Sequence, residues 1–271
     1  MHKFFIGFLV SRPLSSAFFL FSLLVLSPSA QAGAFLAKPG EGQLILSSTF
    51  SASQRGYDGQ GQLTQGPNIR KTEVSAYLEY GLSDWATLLF SPDLEWLSQR
   101  QVGQTQIQSY SGIGLSQLGG RFKVLEGQGQ ILSLQITSLT PNWAERAFGN
   151  DQMGADARLQ YGTSFQLFDK SGFFDAQIGA RHFAGALRNE MRLDMTLGYN
   201  ILPQVMLLAQ NFNVLAPARG ALPQSRTHKL QGSAVYQINK NWSAQLGAFS
   251  TLAARNAAQE RGLTTGLWYR F

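Results

Sequence analysis

The sequence predicts an all-β fold: an antiparallel, up-and-down transmembrane β-barrel of about 12 strands. Three observations carry this expectation. About a dozen segments alternate apolar and polar residues with a period of two, the mark of a strand whose two faces meet different surroundings. Their connections alternate between short turns rich in Gly, Asn, Asp and Pro and longer polar loops. The chain ends Leu267-Trp268-Tyr269-Arg270-Phe271, a terminal aromatic preceded by alternating apolar residues.

Composition removes the competing classes. The 271 residues include no Cys, 28 Gly and only 14% charged residues. The mean hydropathy of −0.09 is too low for a multi-span helical membrane protein. The absence of Cys excludes a disulfide-stapled domain, and the abundance of Leu, Ile, Val and Phe excludes a disordered chain. The 22 Lys and Arg against 16 Asp and Glu are dispersed rather than clustered, so no nucleic-acid partner is expected.

Residues 1–32 read as a cleaved secretory signal. Lys3 and Arg12 are the only charges, Ala17 to Leu26 is apolar apart from Ser22, and Ala30-Gln31-Ala32 fits a small-x-small cleavage site. The apolar run falls short of the ~20 residues a spanning helix needs. Gly33 is therefore the expected start of the mature chain, and residues 33–271 the barrel. The expected strands lie near 41–52, 71–80, 86–97, 113–124, 130–140, 154–167, 173–183, 190–199, 204–214, 228–238, 242–252 and 261–271. In the second, Val74, Ala76, Leu78 and Tyr80 face one way and Glu73, Ser75, Tyr77 and Glu79 the other. In the third, Leu89 and Pro92 break the alternation. Met191, Leu193, Met195, Leu197 and Tyr199 against Arg192, Asp194, Thr196 and Gly198 is the cleanest case. In the tenth, Val235 is the exception.

Short turns are expected at 81–84, 126–129, 169–172, 200–203 and 239–241. Long loops are expected at 53–69, 98–111, 141–153 and 215–227, the first a polar, flexible, solvated surface loop. A soluble sandwich would bury the apolar faces; a membrane barrel turns them to lipid and its polar faces to the lumen. Strand lengths near ~9–11 residues favour the barrel. So do the aromatic residues on the apolar faces at the short-turn ends: Tyr80, Phe122, Phe174, Tyr199, Trp242 and Tyr269, with Phe50 and Trp96 at the other interface. A barrel in lipid tolerates no open edge, so Gln43 to Thr49 must pair with Thr264 to Phe271.

Opposite the apolar faces lie charges of both signs. The lumen-lining candidates are Arg121, Lys123, Arg158, Arg181, Arg192, Asp156, Asp175 and Asp194, accompanied by Lys71, Glu73, Glu79, Asp93, Glu95, Lys229 and Arg270. They support two readings equally: a pore wall selecting an anionic or polar solute, and a structural ion-pair network filling a narrow barrel. His182 and His228 lie in no nucleophile-base-acid pattern and read as interfacial or loop residues, so no catalytic residue is expected. Two His without Cys give no metal site, and no cofactor is expected.

The closing Leu267-Trp268-Tyr269-Arg270-Phe271 resembles the C-terminal signature of bacterial outer-membrane barrels. That resemblance implies recognition of Phe271 by the barrel assembly machinery. The stretch Gly33-Ala34-Phe35-Leu36-Ala37-Lys38-Pro39-Gly40-Glu41-Gly42-Gln43 resembles the opening of XagA-like outer-membrane proteins. The segment Gln117-Leu118-Gly119-Gly120-Arg121-Phe122 resembles a strand of the meta-pathway phenol-degradation barrels, with Gln117 where those carry Asp. The resemblance implies the outer membrane of a Gram-negative-type cell, contact with its lipid, and uptake of small polar or aromatic solutes. The resulting expectation is a monomeric channel; the alternative is a plugged structural or surface-interaction barrel.

Overall fold

The computed structural model describes residues 33–140, 153–185 and 187–271. The expected signal and nearly all of the loop expected at 141–153 lie outside them. The described elements are β1 (Gly42–Tyr57), β2 (Leu63–Ser83), β3 (Ala86–Ser91), β4 (Asp93–Arg100), β5 (Gln108–Ile113), β6 (Gln117–Gly127), β7 (Gln130–Leu139), β8 (Gly154–Leu167), β9 (Lys170–Phe183), β10 (Glu190–Leu202), β11 (Val205–Ala216), β12 (Ser225–Gln237), β13 (Trp242–Arg255), β14 (Ala257–Ala258) and β15 (Arg261–Arg270).

These elements make a closed wall of twelve antiparallel strands. Pro92 has no N–H to give the ladder, and it divides one wall strand into β3 and β4, both paired with β2. The next wall strand is likewise divided: β5 pairs with β4, and β6 with β3. The two-residue β14 extends the pairing at the far end of β1. Closure is as the sequence requires: β1 pairs with β15 from Gln43 opposite Arg270 to Ala52 opposite Arg261, and with β2 on its other side. No strand edge of the first or last wall strand is left open.

The strands run past the expected limits. Residues 53–69 are not one long loop: β1 continues to Tyr57, β2 begins at Leu63, and the two pair across most of the interval. Residues 98–111 likewise hold the end of β4 and the start of β5. The physical reason is shared. A strand that projects past an apolar layer has water on both faces, so its side chains lose the period-two pattern. The backbone ladder needs no such pattern and persists. At the other end the turns are tight. Gln128 and Gly129 both take positive φ, 49° and 76°, as a two-residue hairpin corner matched to strand twist requires. The corner expected at 169–172 sits earlier, at Phe168 and Asp169 (φ 49° and 59°).

The facing is inverted relative to a water-soluble sandwich. Leu46, Phe50, Leu94, Leu193, Leu197 and Leu230 are exposed on the outer surface. Glu79, Arg121, Asp156, Gln160, Asp175 and Asp194 are buried inside. Around the short-turn end the outward aromatics touch one another. Trp242 and Tyr269 lie 4.6 Å apart between ring centroids, Tyr269 and Phe271 5.7 Å, Tyr80 and Phe271 6.5 Å, and Phe165 and Tyr199 6.5 Å. The terminal Phe is thus the link that joins the last strand's aromatics to those of β2.

Candidate functional site

The barrel interior is the candidate site, and β8, β9 and β10 supply its charged wall. Register sets the order. Asp156, Arg181 and Glu190 share one cross-strand row, Arg158, Gly179 and Arg192 the next, and Gln160, Gln177 and Asp194 the one after. Asp156 accepts from Arg158 Nε at 2.7 Å and from Arg181 Nε at 3.1 Å. Arg158 Nη1 reaches across to Asp194 at 2.8 Å. Arg192 lies 3.4 Å from Glu190 and 3.9 Å from Asp194. Gly179 keeps the middle row open, because a Cβ there would sit 2.7 Å from the Arg158 side chain. Three guanidinium groups meet three carboxylates, so the cationic surplus legible in the sequence is compensated locally.

A ladder of amides continues from this cluster. Gln160 donates to Gln135 at 3.0 Å and to Gln177 at 3.3 Å, and Gln177 donates to Asp175 at 2.7 Å. Two strands along the wall, on β6 opposite Gln135 in the register, Arg121 is the second hub. Its Nη1 donates to Glu79 at 3.0 Å, and its Nη2 to the Tyr77 hydroxyl at 2.8 Å and to Gln135 at 3.3 Å. Arg121 is 2% exposed. In so dry a place each guanidinium needs several acceptors to offset its lost hydration. Lys123 stands apart from both clusters. It lies near the short-turn end of β6 and pairs with Glu126 at 2.6 Å.

The residues before β1 occupy the interior as well. Residues 33–41 run inside the short-turn end of the barrel, from β9 across to β2. The Ala34 N–H donates to the Asp175 carboxylate at 2.6 Å, the Phe35 carbonyl accepts from Arg121 at 2.8 Å, and the Ala37 N–H donates to the Thr87 hydroxyl at 3.1 Å. Gly40 donates to the Gly81 carbonyl and Gly81 to the Glu41 carbonyl, both at 3.0 Å. Gly162 faces the Phe35 ring at a distance that leaves no room for a side chain. Of the eight candidates, then, Arg158, Arg181, Arg192, Asp156 and Asp194 form one network. Arg121 and Asp175 grip the inserted segment, and Lys123 belongs to neither.

Sequence reasoning missed two interior features. One is the inserted segment, whose residues carry no long-range signal. The other is an apolar floor at the short-turn end: Phe173, Met206, Leu208, Val235 and Trp268 form a buried cluster against Ile45. The signal for it was present. Val235, which breaks the alternation of its strand, belongs to this cluster and is 4% exposed; Leu89, a break in β3, is likewise inward and buried at 3% but lies outside it.

Glu73, Asp93 and Glu95 bring their carboxylate oxygens within 4.8 Å of one another, and Lys71 meets Glu73 at 3.0 Å. The cluster is part of the charged interior. His182 is exposed on the outer face, and His228 contacts Asn213; among the described residues, neither has a hydrogen bond to a Ser or Thr hydroxyl or to a carboxylate.

No family model matches the chain, and no curated protein matches it in sequence. Solved structures do match it. An outer-membrane channel of Pseudomonas putida F1 superposes with a TM-score of 0.68 at 16% identity, over 89% of this chain and 99% of that one. The translocator domain of the autotransporter NalP from Neisseria meningitidis gives 0.53 at 9% identity, over 88% and 91%. The NanC porin gives 0.50 at 7% identity, over 83% and 98%. At these identities the likeness is one of fold: a twelve-stranded barrel of the outer-membrane type.

Proposed function

We propose that the chain is an outer-membrane channel for small polar or aromatic solutes, narrowed by its own inserted segment. The observation that carries this is the charged ladder along β8 to β10 together with the inserted residues 33–41: both signs of charge line the interior, and a stretch of chain held by hydrogen bonds to Asp175, Arg121, Thr87 and Gly81 lies inside it. An outward apolar surface bounded by touching aromatics supports placement in lipid, after export and removal of residues 1–32. The channel and porin among the structural matches support transport over catalysis. The resemblance of the mature start to XagA-like proteins and of 117–122 to phenol-degradation barrels supports the solute class. Assembly through Phe271 and a monomeric state belong to the same reading.

A second reading is a plugged structural barrel, favoured by the apolar floor and by Ala34, which is fully buried. Planar-bilayer recording separates the two. A channel gives small steps that grow when the inserted segment is loosened; absence of conductance in both the wild type and the loosened variants overturns transport.

A further inference from the structure

The outer surface carries a second, differently built feature. At the long-strand end of β1, β2, β4, β5 and β15, a groove of about 760 Å³ opens outward. Its lower wall is apolar: Phe50, Trp96 and Leu263 are about half exposed on the outer face. Its upper wall is cationic. Arg70 and Arg261 lie on β2 and β15, each directly opposite Ala52 of the intervening β1. Neighbouring strands are ~4.8 Å apart, so the two Cα atoms stand roughly 10 Å apart over a small-residue floor. Arg100 lies one step further out on the same face, opposite Asn68.

Two comparisons within the molecule give this groove meaning. The interior arginines 121, 158, 181 and 192 all meet carboxylates. Among the described residues, the side chains of Arg70, Arg100 and Arg261 have neither a carboxylate partner nor a hydrogen bond. Height is the second. Arg70 is ten residues from Tyr80, a step of ~33 Å along a strand at ~3.3 Å per residue. At a tilt of ~40° that is ~25 Å, the height of the apolar band of an outer-membrane barrel. The unpaired guanidinium groups therefore lie where acyl chains end and headgroups begin, on the side away from the short turns.

We infer that this groove binds the phosphorylated headgroup of an outer-leaflet glycolipid. Arg70 and Arg261 clamp one phosphate from two sides, as guanidinium forks do, and an acyl chain lies against Phe50 and Trp96. Free phosphate would use the upper wall alone and leave the apolar wall unexplained. The inference rests on the outer-membrane reading above.

The test is native mass spectrometry of the detergent-purified protein titrated with bis-phosphorylated lipid A and with its dephosphorylated form. The wild type is expected to bind one lipid A saturably and the dephosphorylated form about tenfold more weakly. Arg70→Gln with Arg261→Gln is expected to erase that preference. Arg226→Gln, which removes an exposed rim charge on β12 outside the groove, should leave binding unchanged. Millimolar inorganic phosphate should not displace the lipid. Equal binding by the double variant, equal binding of the dephosphorylated lipid, or displacement by phosphate alone overturns the site. Membrane fractionation keeps the two failures apart. A chain soluble without detergent overturns the membrane reading and the site together; a membrane-inserted chain with charge-independent lipid binding overturns the site alone.

Discussion

The Asp175 carboxylate, in the middle of β9, accepts the backbone N–H of Ala34 at 2.6 Å and so joins positions 141 residues apart. With the Arg121 bond to the Phe35 carbonyl, it fixes the stretch before the first strand inside the barrel that the same chain goes on to build.

Asp175→Ala removes that anchor. The Ala34 N–H is left buried without its acceptor, a cost of about 1–3 kcal/mol. The inserted segment should leave the lumen for part of the time. Larger conductance steps and protease cleavage near residues 34–40 are the expected results, with far-ultraviolet circular dichroism unchanged.

Gly81→Val attacks the same segment from β2. A Cβ at Gly81 would overlap the Lys38 carbonyl, which is backbone and cannot swing aside. The variant should release the segment without touching any charge. Its conductance should match that of Asp175→Ala, and the two changes together should add little, since both act on one displacement.

Arg121→Met leaves Glu79 buried and unpaired, and should destabilise the barrel by about 3–5 kcal/mol. Adding Glu79→Gln should recover much of the loss. Thermal unfolding in detergent, read as a double-mutant cycle, checks this; a double variant no better than the single one would show that the pair is not coupled.

Met195→Arg and Thr196→Arg test the facing directly. Met195 is outward at the middle of β10, between Leu193 and Leu197, and Arg there should cost about 2–4 kcal/mol in a bilayer. Thr196 is opposite Asp175 in the register, so an inward Arg meets a carboxylate and should be tolerated better. Equal losses in urea titrations of the membrane-inserted protein would contradict the assignment.

The wall was legible in the sequence because alternation is a local property. Met191 to Tyr199 reads its own two faces without reference to any other residue, and the aromatics at the strand ends mark one rim by position alone. Strand ends were less legible, since residues 53–57 and 63–69 pair through backbone groups that composition does not record. Two of the breaks in the pattern, Leu89 and Val235, held information of the opposite kind: an inward apolar residue announces an interior that is packed there rather than filled with water.

What the sequence by itself determined is which face of each strand is apolar, that the wall must close, and which charges turn inward. Only the tertiary structure decided which of those charges meet. Asp156 joins Arg158 and Arg181, whereas Asp175 receives residues from before the first strand. Partners set by register and by long-range closure depend on where strands stop and how far the sheet staggers. No short stretch of sequence encodes either, because each inward side chain is chemically able to pair with several others.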